Sequence, residues 1–317
     1  MEGALVEKVS ALTALAQEVT EYASQAKAPH TVKAYQSDWV HFVAWCESVG
    51  LQSLPAAPET VAAYLAYLAG THKASTLQRR VSSISQAHQM KGVPNPASST
   101  LVKLTLQGIR RAKGTAPTQV APAVVSDVQA MINTLPDNLL GLRDRALLLL
   151  GFAGAFRRSE LVALNVEDLE HTPEGLKVTL RHSKTDQEGE GVVKGIPMGR
   201  REETCPVKAV KAWCDAAGIT EGALFRSVNR HGQVQPGRLS DKAVALVVKR
   251  SAAAAGLDAA KYSGHSLRAG LATSAAAAGV QERSIMRQTG HKSVNMVRRY
   301  IREGELFRDN AAGQVGL

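Results

Sequence analysis

Apolar side chains recur at three- and four-residue spacing through most of the first hundred residues. The first such run extends from Thr31, which is placed like an N-cap, to Gly50, and three further runs follow it. Because positions three and four apart share one face of a helix, the pattern predicts an all-helical domain over residues 26–112. Residues 1–25 are predicted to form a possible flexible N-terminal segment.

A second region follows, in which helical spacing is interrupted by strand spacing. Residues 113–122 contain two prolines and few apolar side chains, so they are predicted to be a linker. Apolar residues alternate with polar ones over 176–180, which predicts a strand, and 192–198 is its predicted antiparallel partner. The predicted fold is mainly α with a small β-sheet, and its second, mixed α/β domain occupies 123–317.

The net charge of the chain indicates which class of partner it binds. With 38 Lys and Arg against 28 Asp and Glu, the net charge is +10, and both halves are basic. Such a surface attracts a polyanion, and nucleic acid is the first candidate. An acidic membrane is the competing candidate, but no run approaches the ~18 apolar residues of a membrane span, and the start lacks an export signal. We therefore predict no membrane association.

The cysteines indicate the compartment. Cys46, Cys205 and Cys214 are odd in number and lack the paired spacing of metal ligands. They argue against both a disulfide framework and a zinc site, and each fits a small buried apolar residue. We predict a cytoplasmic, nucleoid-associated protein.

One tyrosine near the carboxyl terminus lies among cationic and imidazole side chains. Tyr300 directly follows two arginines, and Gly-His-Ser-Leu-Arg at 264–268 and Gly-His-Lys at 290–292 precede it. A phenol is a weak nucleophile unless cations and proton-transfer groups surround it, and a phosphodiester carries its charge on oxygens. Phosphoryl transfer is therefore the first chemistry to test. Taken alone, Tyr300 also fits an amphipathic side chain that closes a core.

Each of the other candidate side chains is weak evidence for a site when taken alone. His265 and Arg268 are three residues apart, so on a helix they can address one target. Arg157 and Glu160 share that spacing, which suits a carboxylate that orients a guanidinium, although an ordinary surface salt bridge also fits. Lys184, at the tip of the predicted hairpin, could reach into a cleft or could be a solvated turn lysine.

The order of these residues resembles that of the tyrosine recombinase (phage integrase) family. In chain order the matching positions are Arg157, Lys184, His265, Arg268, His291 and Tyr300. Ser-Gly-His-Ser-Leu-Arg at 263–268 and Tyr-Ile-Arg at 300–302 match closely, and His-Thr-Val-Lys at 30–33 is similar to the family's first domain. The likeness covers nearly the whole chain and implies a helical core-binding domain followed by a catalytic domain.

The resemblance also implies a reaction. The chain would be a site-specific DNA recombinase that cuts and rejoins DNA through a 3′-phosphotyrosyl intermediate, without metal, ATP or another cofactor. Tyr300 would attack the phosphodiester and release a 5′-hydroxyl. Lys184 would donate a proton to that departing oxygen, and His265 would assist proton movement at the tyrosine.

The remaining matched positions would hold the phosphate. Arg157 and Arg268 would grip its non-bridging oxygens, and His291 would donate a further hydrogen bond. Glu160, and similarly Asp168, would support an active-site arginine from behind. Arg157 rather than its neighbour is chosen because the family's Arg-x-x-Glu spacing counts back from Glu160.

The resemblance further implies contacts with double-stranded DNA and a defined assembly. The candidate DNA contacts are basic side chains of both halves: Lys33, Arg79, Arg80, Lys91, Arg110, Arg111, Lys242, Lys249 and Arg250. Any one of them could equally belong to a solvated helix face. A C-terminal helix at about 303–317 would be exchanged between subunits, unless it is a frayed tail. The protein would be a homodimer on one recombination site and a homotetramer on paired sites.

Two other functions fit part of this pattern. A type IB topoisomerase-like enzyme uses the same nucleophile to relax DNA. A non-catalytic DNA-binding protein would use its basic surface alone, with a tyrosine that is merely structural.

Overall fold

The computed structural model describes residues 28–114, 120–181 and 191–304, together with Leu15 and Glu18. Lys184, nearly all of 1–25 and most of the predicted exchange helix lie outside these residues. The chain divides into two compact units, Met1–Pro117 and Thr118–Leu317. Because residues 115–119 also lie outside, the linker stays a prediction.

All regular secondary structure in the described residues of the first unit is helical. The helices are α1 (Pro29–Ser48), α2 (Pro58–Ala69), α3 (Ala74–Met90) and α4 (Thr100–Lys113), with a 3₁₀ turn at Pro96–Ser98. Their apolar faces meet in a core that includes Phe42, Leu65 and Leu77. The predicted cap at Thr31 is wrong, because Pro29 already occupies the first turn, where its fixed φ suits a helix and its missing N–H costs nothing.

The second unit is also mainly helical. Its helices are α5 (Val125–Asn133), α6 (Leu139–Ala153), α7 (Arg158–Ala163), α8 (Pro206–Ala217), α9 (Asp241–Ala254), α10 (Ser266–Ala277), α11 (Glu282–Thr289) and α12 (Val294–Gly304). Its strands are β1 (Leu169–Thr172), β2 (Gly175–Leu180), β3 (Val192–Pro197), β4 (Arg226–Val228) and β5 (Val234–Arg238). The predicted mainly α fold with a small β-sheet is confirmed. β1, β4 and β5 were not predicted.

The three-stranded sheet positions one charged side chain inside the unit. β2 pairs antiparallel with both β1 and β3, and on its inner face Val178 is fully buried. Lys194 of β3 lies opposite Val178, and Ile196 lies opposite Leu176. Because side chains alternate along a strand, Lys194 and Ile196 point to the same buried side.

Helix α6 ends in a turn that a non-glycine residue completes. The Phe156 N–H donates to Gly151 O, and the Ala155 N–H donates to Phe152 O, which is the Schellman pattern. Ala155 takes the left-handed position with φ 47°. Side chains with a Cβ pay for that conformation, so the turn is strained immediately before Arg157.

Replacing Ala155 by glycine should relieve this strain. We expect the free energy of unfolding to rise by about 1 kcal/mol, since glycine adopts positive φ without a Cβ clash. Denaturant titration measures the change. Gly218, whose φ is 62° with open space around it, is the matched control, and Gly218→Ala should lose a similar amount. Equal stability of Ala155→Gly and the native chain would contradict the strain.

The last three helices form a small separate core. Ala272, Ile285, Val297 and Tyr300 meet there between α10, α11 and α12. Helix α10 also approaches the backbone near Ala123, where a Cβ on Gly270 would meet a carbonyl oxygen at 1.8 Å. The helix that begins after His265 and carries Arg268 is thus packed against the backbone near Ala123 and against α11 and α12. Over the described part of the chain, no helix is long and apolar enough to cross a membrane.

Candidate active site

Arg157 and Glu160 form a fixed pair at the start of α7. Arg157 is the N-cap, and its backbone N–H donates to Glu160 Oε2 at 2.9 Å. Its Nη1 donates to Glu160 Oε1 at 2.5 Å. Glu160 is buried, whereas 21% of the Arg157 side chain remains exposed. One carboxylate therefore caps the helix and orients a guanidinium whose outer edge stays accessible.

Arg268 of α10 is a buried cation with one free donor. Its side chain is 1% exposed, and Nη1 donates to Ala155 O at 2.7 Å. Nη2 has no hydrogen-bond partner among the described residues. Burial, and then the charge of Arg157, lowers the Arg268 pKa to about 10. A buried N–H without an acceptor is costly, which suits a site that awaits an anion.

His265 connects the start of α10 to the tyrosine of α12. Its Nε2 lies 3.3 Å from the Tyr300 hydroxyl oxygen. The residue is open to solvent, but desolvation of its ring lowers the His265 pKa, and the charges of Arg268 and Arg157 add to the effect. A neutral imidazole within hydrogen-bonding reach of a phenol can accept its proton.

His291 lies in the turn between α11 and α12 and is nearly buried. Its ring centre is 5.8 Å from that of Tyr300. Burial first, and then Arg268 and Arg157, lower the His291 pKa to about 4, so the ring is neutral near pH 7. The Thr289 hydroxyl lies 2.7 Å from both His291 Nδ1 and Ile285 O, and its single proton can serve only one of them.

A buried lysine that the sequence did not single out lies beneath this cluster. Lys194 of β3 is 5% exposed, and its Nζ donates to Gly154 O and to Gln288 O, both at 2.7 Å. The first carbonyl precedes Arg157 and the second precedes His291. The alternation of β3 was the available signal, because it places Lys194 on the same face as Ile196.

Two predicted site residues, Lys184 and Asp168, have no described contact with this cluster. Lys184 lies outside the described residues, so its role remains a prediction. Asp168 accepts hydrogen bonds from Arg181 Nε at 2.6 Å and from the Asn165 N–H at 2.8 Å. These partners tie Asp168 to the end of β2 and to the turn at Asn165, and its support of an active-site arginine remains a prediction.

The predicted DNA-contacting side chains fall into three groups: exposed without an ion pair, exposed with an ion pair, and buried. The exposed ones without an ion pair among the described residues are Lys33, Lys91, Arg110, Arg111, Lys242 and Lys249. Arg79 and Arg250 are exposed but pair with the buried carboxylates of Asp38 and Asp144. Arg80 is corrected: it is 8% exposed and donates to the Tyr64 hydroxyl, so it is part of the interior of the first unit.

Together, the described groups suit an anionic ligand. One phenol lies beside two imidazoles and within the electrostatic reach of Arg268, and Arg157, which pairs with Glu160, acts on both imidazoles. Among the residues that the structure covers, no three His, Cys, Asp or Glu side chains are grouped to hold a metal ion. The arrangement can hold a tetrahedral anion beside a nucleophile whose proton has an acceptor.

Comparison with protein families gives two matches. The phage integrase family matches residues 125–305, and the phage integrase N-terminal SAM-like domain matches residues 18–91. The first of these models covers more than half of the chain and contains every described residue of the candidate active site.

Individual relatives agree with these matches. The chain is 45% identical to an integrase/recombinase XerD homologue of Selenomonas ruminantium over 92% of this chain and 86% of that protein. It is 27% identical to the Cre recombinase of Escherichia phage P1 over 88% of this chain and 85% of that protein.

Solved structures support the fold. A XerH site-specific recombinase bound to a palindromic difH substrate superimposes with a TM-score of 0.60 at 17% identity, over 81% of this chain and 72% of that one. A lambda integrase dimer bound to a COC′ core site gives 0.61 at 17% identity, over 93% and 77%. With two family models and a relative of this identity in agreement, the chain belongs to the phage integrase family of tyrosine recombinases.

Proposed function

We propose that this protein is a site-specific recombinase that cuts and rejoins double-stranded DNA through a 3′-phosphotyrosyl intermediate on Tyr300. The observation that carries the proposal is the 3.3 Å separation of His265 Nε2 and the Tyr300 hydroxyl oxygen beside Arg157 and Arg268. The nucleophile, a proton acceptor and two cations thus converge in one subunit. The DNA-bound relatives named above use the same overall fold.

The arginines neutralise the phosphate. In the proposed complex, Arg268 Nη2 and the exposed edge of Arg157 donate to the two non-bridging oxygens. Negative charge grows on these oxygens as phosphorus becomes five-coordinate, so preorganised donors stabilise the transition state more than the bound DNA. Glu160 and Ala155 O hold the two guanidinium groups in place, so little reorganisation is needed.

The proton and bond changes balance without a cofactor. The Tyr300 oxygen bonds to phosphorus while its proton passes to His265 Nε2. The bond from phosphorus to the 5′ oxygen breaks, and Lys184 supplies a proton to that oxygen. Because the new ester to Tyr300 replaces the broken one and preserves its bond energy, a second 5′-hydroxyl can reverse these steps and reseal the strand without ATP.

His291 contributes a third donor only in one tautomer. If the Thr289 hydroxyl donates to Nδ1, the proton of the neutral ring is on Nε2 and can reach the phosphate. We propose this tautomer for the DNA complex. The low pKa of His291 keeps the ring neutral, so its contribution is a hydrogen bond rather than a charge.

Exposed helix faces of each unit supply the proposed DNA contacts. On α9, Lys242, Leu246 and Lys249 share one exposed stripe, which suits a helix that lies against a groove. On α4, Arg110 and Arg111 are exposed in the last turn. Neutralised phosphates release counterions, so affinity should fall steeply as salt rises. We retain Arg79 and Arg250 as secondary contacts.

We propose that the protein acts as a homodimer on one site and as a homotetramer on paired sites. The carboxyl-terminal residues 303–317 would be exchanged between neighbouring subunits. The lambda integrase named above forms a dimer on its DNA site. Sedimentation of the protein with one site and with two sites distinguishes the two assemblies.

Trapping on fragmented genomic DNA tests the function. Detergent should trap protein joined to 3′ ends, and sequencing of those ends should give one recurring site. Two copies of that site on a plasmid should then recombine. Relaxation of the plasmid without exchange would favour the topoisomerase-like alternative, and absence of any cleavage would favour a DNA-binding protein.

The pH dependence of cleavage should report His265. A lowered pKa means that the ring stays neutral until the pH falls below its ordinary value of about 6.5. The rate of covalent-complex formation should therefore hold down to that value and fall only at lower pH. His265→Gln should be slower at every pH and should lack this acid limb. An acid limb that persists unchanged in the variant would assign it to another group.

A further inference from the structure

Lys194 is a buried ammonium group held by two hydrogen bonds and one aromatic ring. Two of its N–H groups donate to Gly154 O and Gln288 O at 2.7 Å. The charge also lies 4.9 Å from the centre of the Phe156 ring, within the range of a cation–π contact. Because Lys194 is buried and held by these contacts, we do not assign it the proton donation predicted for Lys184.

The contacts join three elements that carry the active site. Lys194 belongs to β3, Gly154 ends α6, and Gln288 is in the last turn of α11. The Gln288 side chain repeats the bridge, because its Nε2 donates to Ala153 O at 2.8 Å and to Gly195 O at 3.3 Å. The two bridges make one junction of β3, α6 and α11, which we call the Lys194 junction.

The active-site groups are attached directly to this junction. Ala155, the residue after Gly154, accepts the hydrogen bond that holds Arg268. Arg157 follows two residues later, and His291 lies three residues beyond Gln288. A shift of either carbonyl would therefore move a phosphate-binding side chain.

The buried positive charge of Lys194 is unusual because of the partners that it has. A buried ammonium group is usually paired with a carboxylate, yet Lys194 is bonded to neutral carbonyls. The charged and titratable groups around it are Arg268 on α10, Arg157 and Glu160 at α7, and His291 after α11. Only Glu160 among them is negative, and it is already paired with Arg157. The cluster thus keeps an uncompensated positive charge that a phosphate would neutralise.

We propose that Lys194 is a positioning residue for strand cleavage, which fixes the 154–157 and 288–291 turns to β3 and adds positive charge beneath the bound phosphate. This inference rests on the proposed function. It gives β3 a role of its own.

The proposal has a signature in the pH profile. Burial, and then Arg268, lowers the Lys194 pKa to about 8. The ammonium is therefore the main form at neutral pH and is lost as the pH rises through about 8, when one donor and the charge disappear together. Cleavage by the native protein should slow over that range. Bound phosphate favours the charged form and would move the midpoint upward, never downward.

Three variants test the proposal on a nicked DNA substrate in single-turnover cleavage. Lys194→Met keeps the volume but removes the charge and donors, and it should slow cleavage about 10²-fold with DNA affinity unchanged. Lys177→Met is the matched control, since Lys177 lies on the neighbouring strand β2 with an exposed side chain, and it should cleave normally. Lys194→Arg keeps a charge that does not titrate, so its rate should not fall above the native midpoint.

The outcomes distinguish failure of this inference from failure of the proposed function. If Lys194→Met cleaves as fast as Lys177→Met, or if Lys194→Arg and the native protein share one alkaline profile, the positioning role is wrong. Should Lys194→Met fail to fold, the profiles of the native protein and Lys194→Arg still decide. If the native protein forms no covalent complex, the proposed function fails instead.

Discussion

Replacing Tyr300 by phenylalanine should abolish covalent attachment to DNA while leaving DNA binding intact. The change removes one oxygen and keeps the ring, which packs with Val297 and Ile285 in the small carboxyl-terminal core. Loss of a nucleophile leaves no alternative route through a phosphotyrosine, so the cleavage rate should fall by at least about 10⁴-fold. Denaturing electrophoresis of protein with labelled DNA measures the covalent complex, and a mobility shift measures binding.

Tyr262 provides the matched control for this experiment. It is also nearly buried in the second unit, but its hydroxyl donates to Asp127 Oδ2 at 3.1 Å, and burial raises the Tyr262 pKa to about 12. Tyr262→Phe should cleave DNA at the native rate. Equal loss in both variants would mean that the tyrosines act through stability, and retained cleavage by Tyr300→Phe would remove the proposed nucleophile.

Replacing Arg268 by methionine should separate catalysis from stability. We expect cleavage to slow by about 10³-fold, because a preorganised donor and a charge next to the phosphate are lost. Stability should change by no more than about 1 kcal/mol, since two effects oppose each other. The variant leaves Ala155 O unpaired, but it also removes a buried cation with an unsatisfied N–H.

Arg143→Met is the control, because we expect it to lower stability without slowing cleavage. It is 5% exposed and pairs with Asp144, which is 1% exposed. Arg143→Met should destabilise the fold by roughly 3 kcal/mol, because a buried carboxylate loses a partner, yet it should cleave at the native rate well below its melting temperature. If Arg268→Met behaved like Arg143→Met in both measurements, Arg268 would be a structural residue.

The sequence predicted most helices because their signal is local. Apolar spacing gives a helix its buried face wherever a core exists, and the four apolar runs of the first hundred residues correspond to α1 to α4. β1, β4 and β5 were missed because each is short and only partly buried, so no alternation stands out.

Side-chain environments were harder to predict than helices. Arg80 was expected on the surface, yet it lies three residues after Leu77 and next to Val81, on the buried face of α3. Lys194 was overlooked although the strand period turns it inward. In both cases the charge suggested exposure, because Lys and Arg are rarely buried without partners. The partners, Tyr64 and two backbone carbonyls, are distant in sequence and could not be read from it.

The contact between His265 and Tyr300 shows which part of the site the sequence could predict. The two residues are 35 positions apart, and only the packing of α12 against α10 brings their side chains within 3.3 Å. Residue spacing alone could not give that distance. The resemblance to a family supplied the expectation, and the small core of α10, α11 and α12 supplies its physical cause.

The most direct test identifies the atom that holds the DNA. Protein trapped on its cut site is digested with a protease and a nuclease, and mass spectrometry locates the residual nucleotide. The proposal predicts a single peptide in which Tyr300 carries a nucleotide through its 3′ phosphate, with a free 5′-hydroxyl on the released strand. A nucleotide on any other residue, attachment through a 5′ phosphate, or cleavage with no adduct would contradict it.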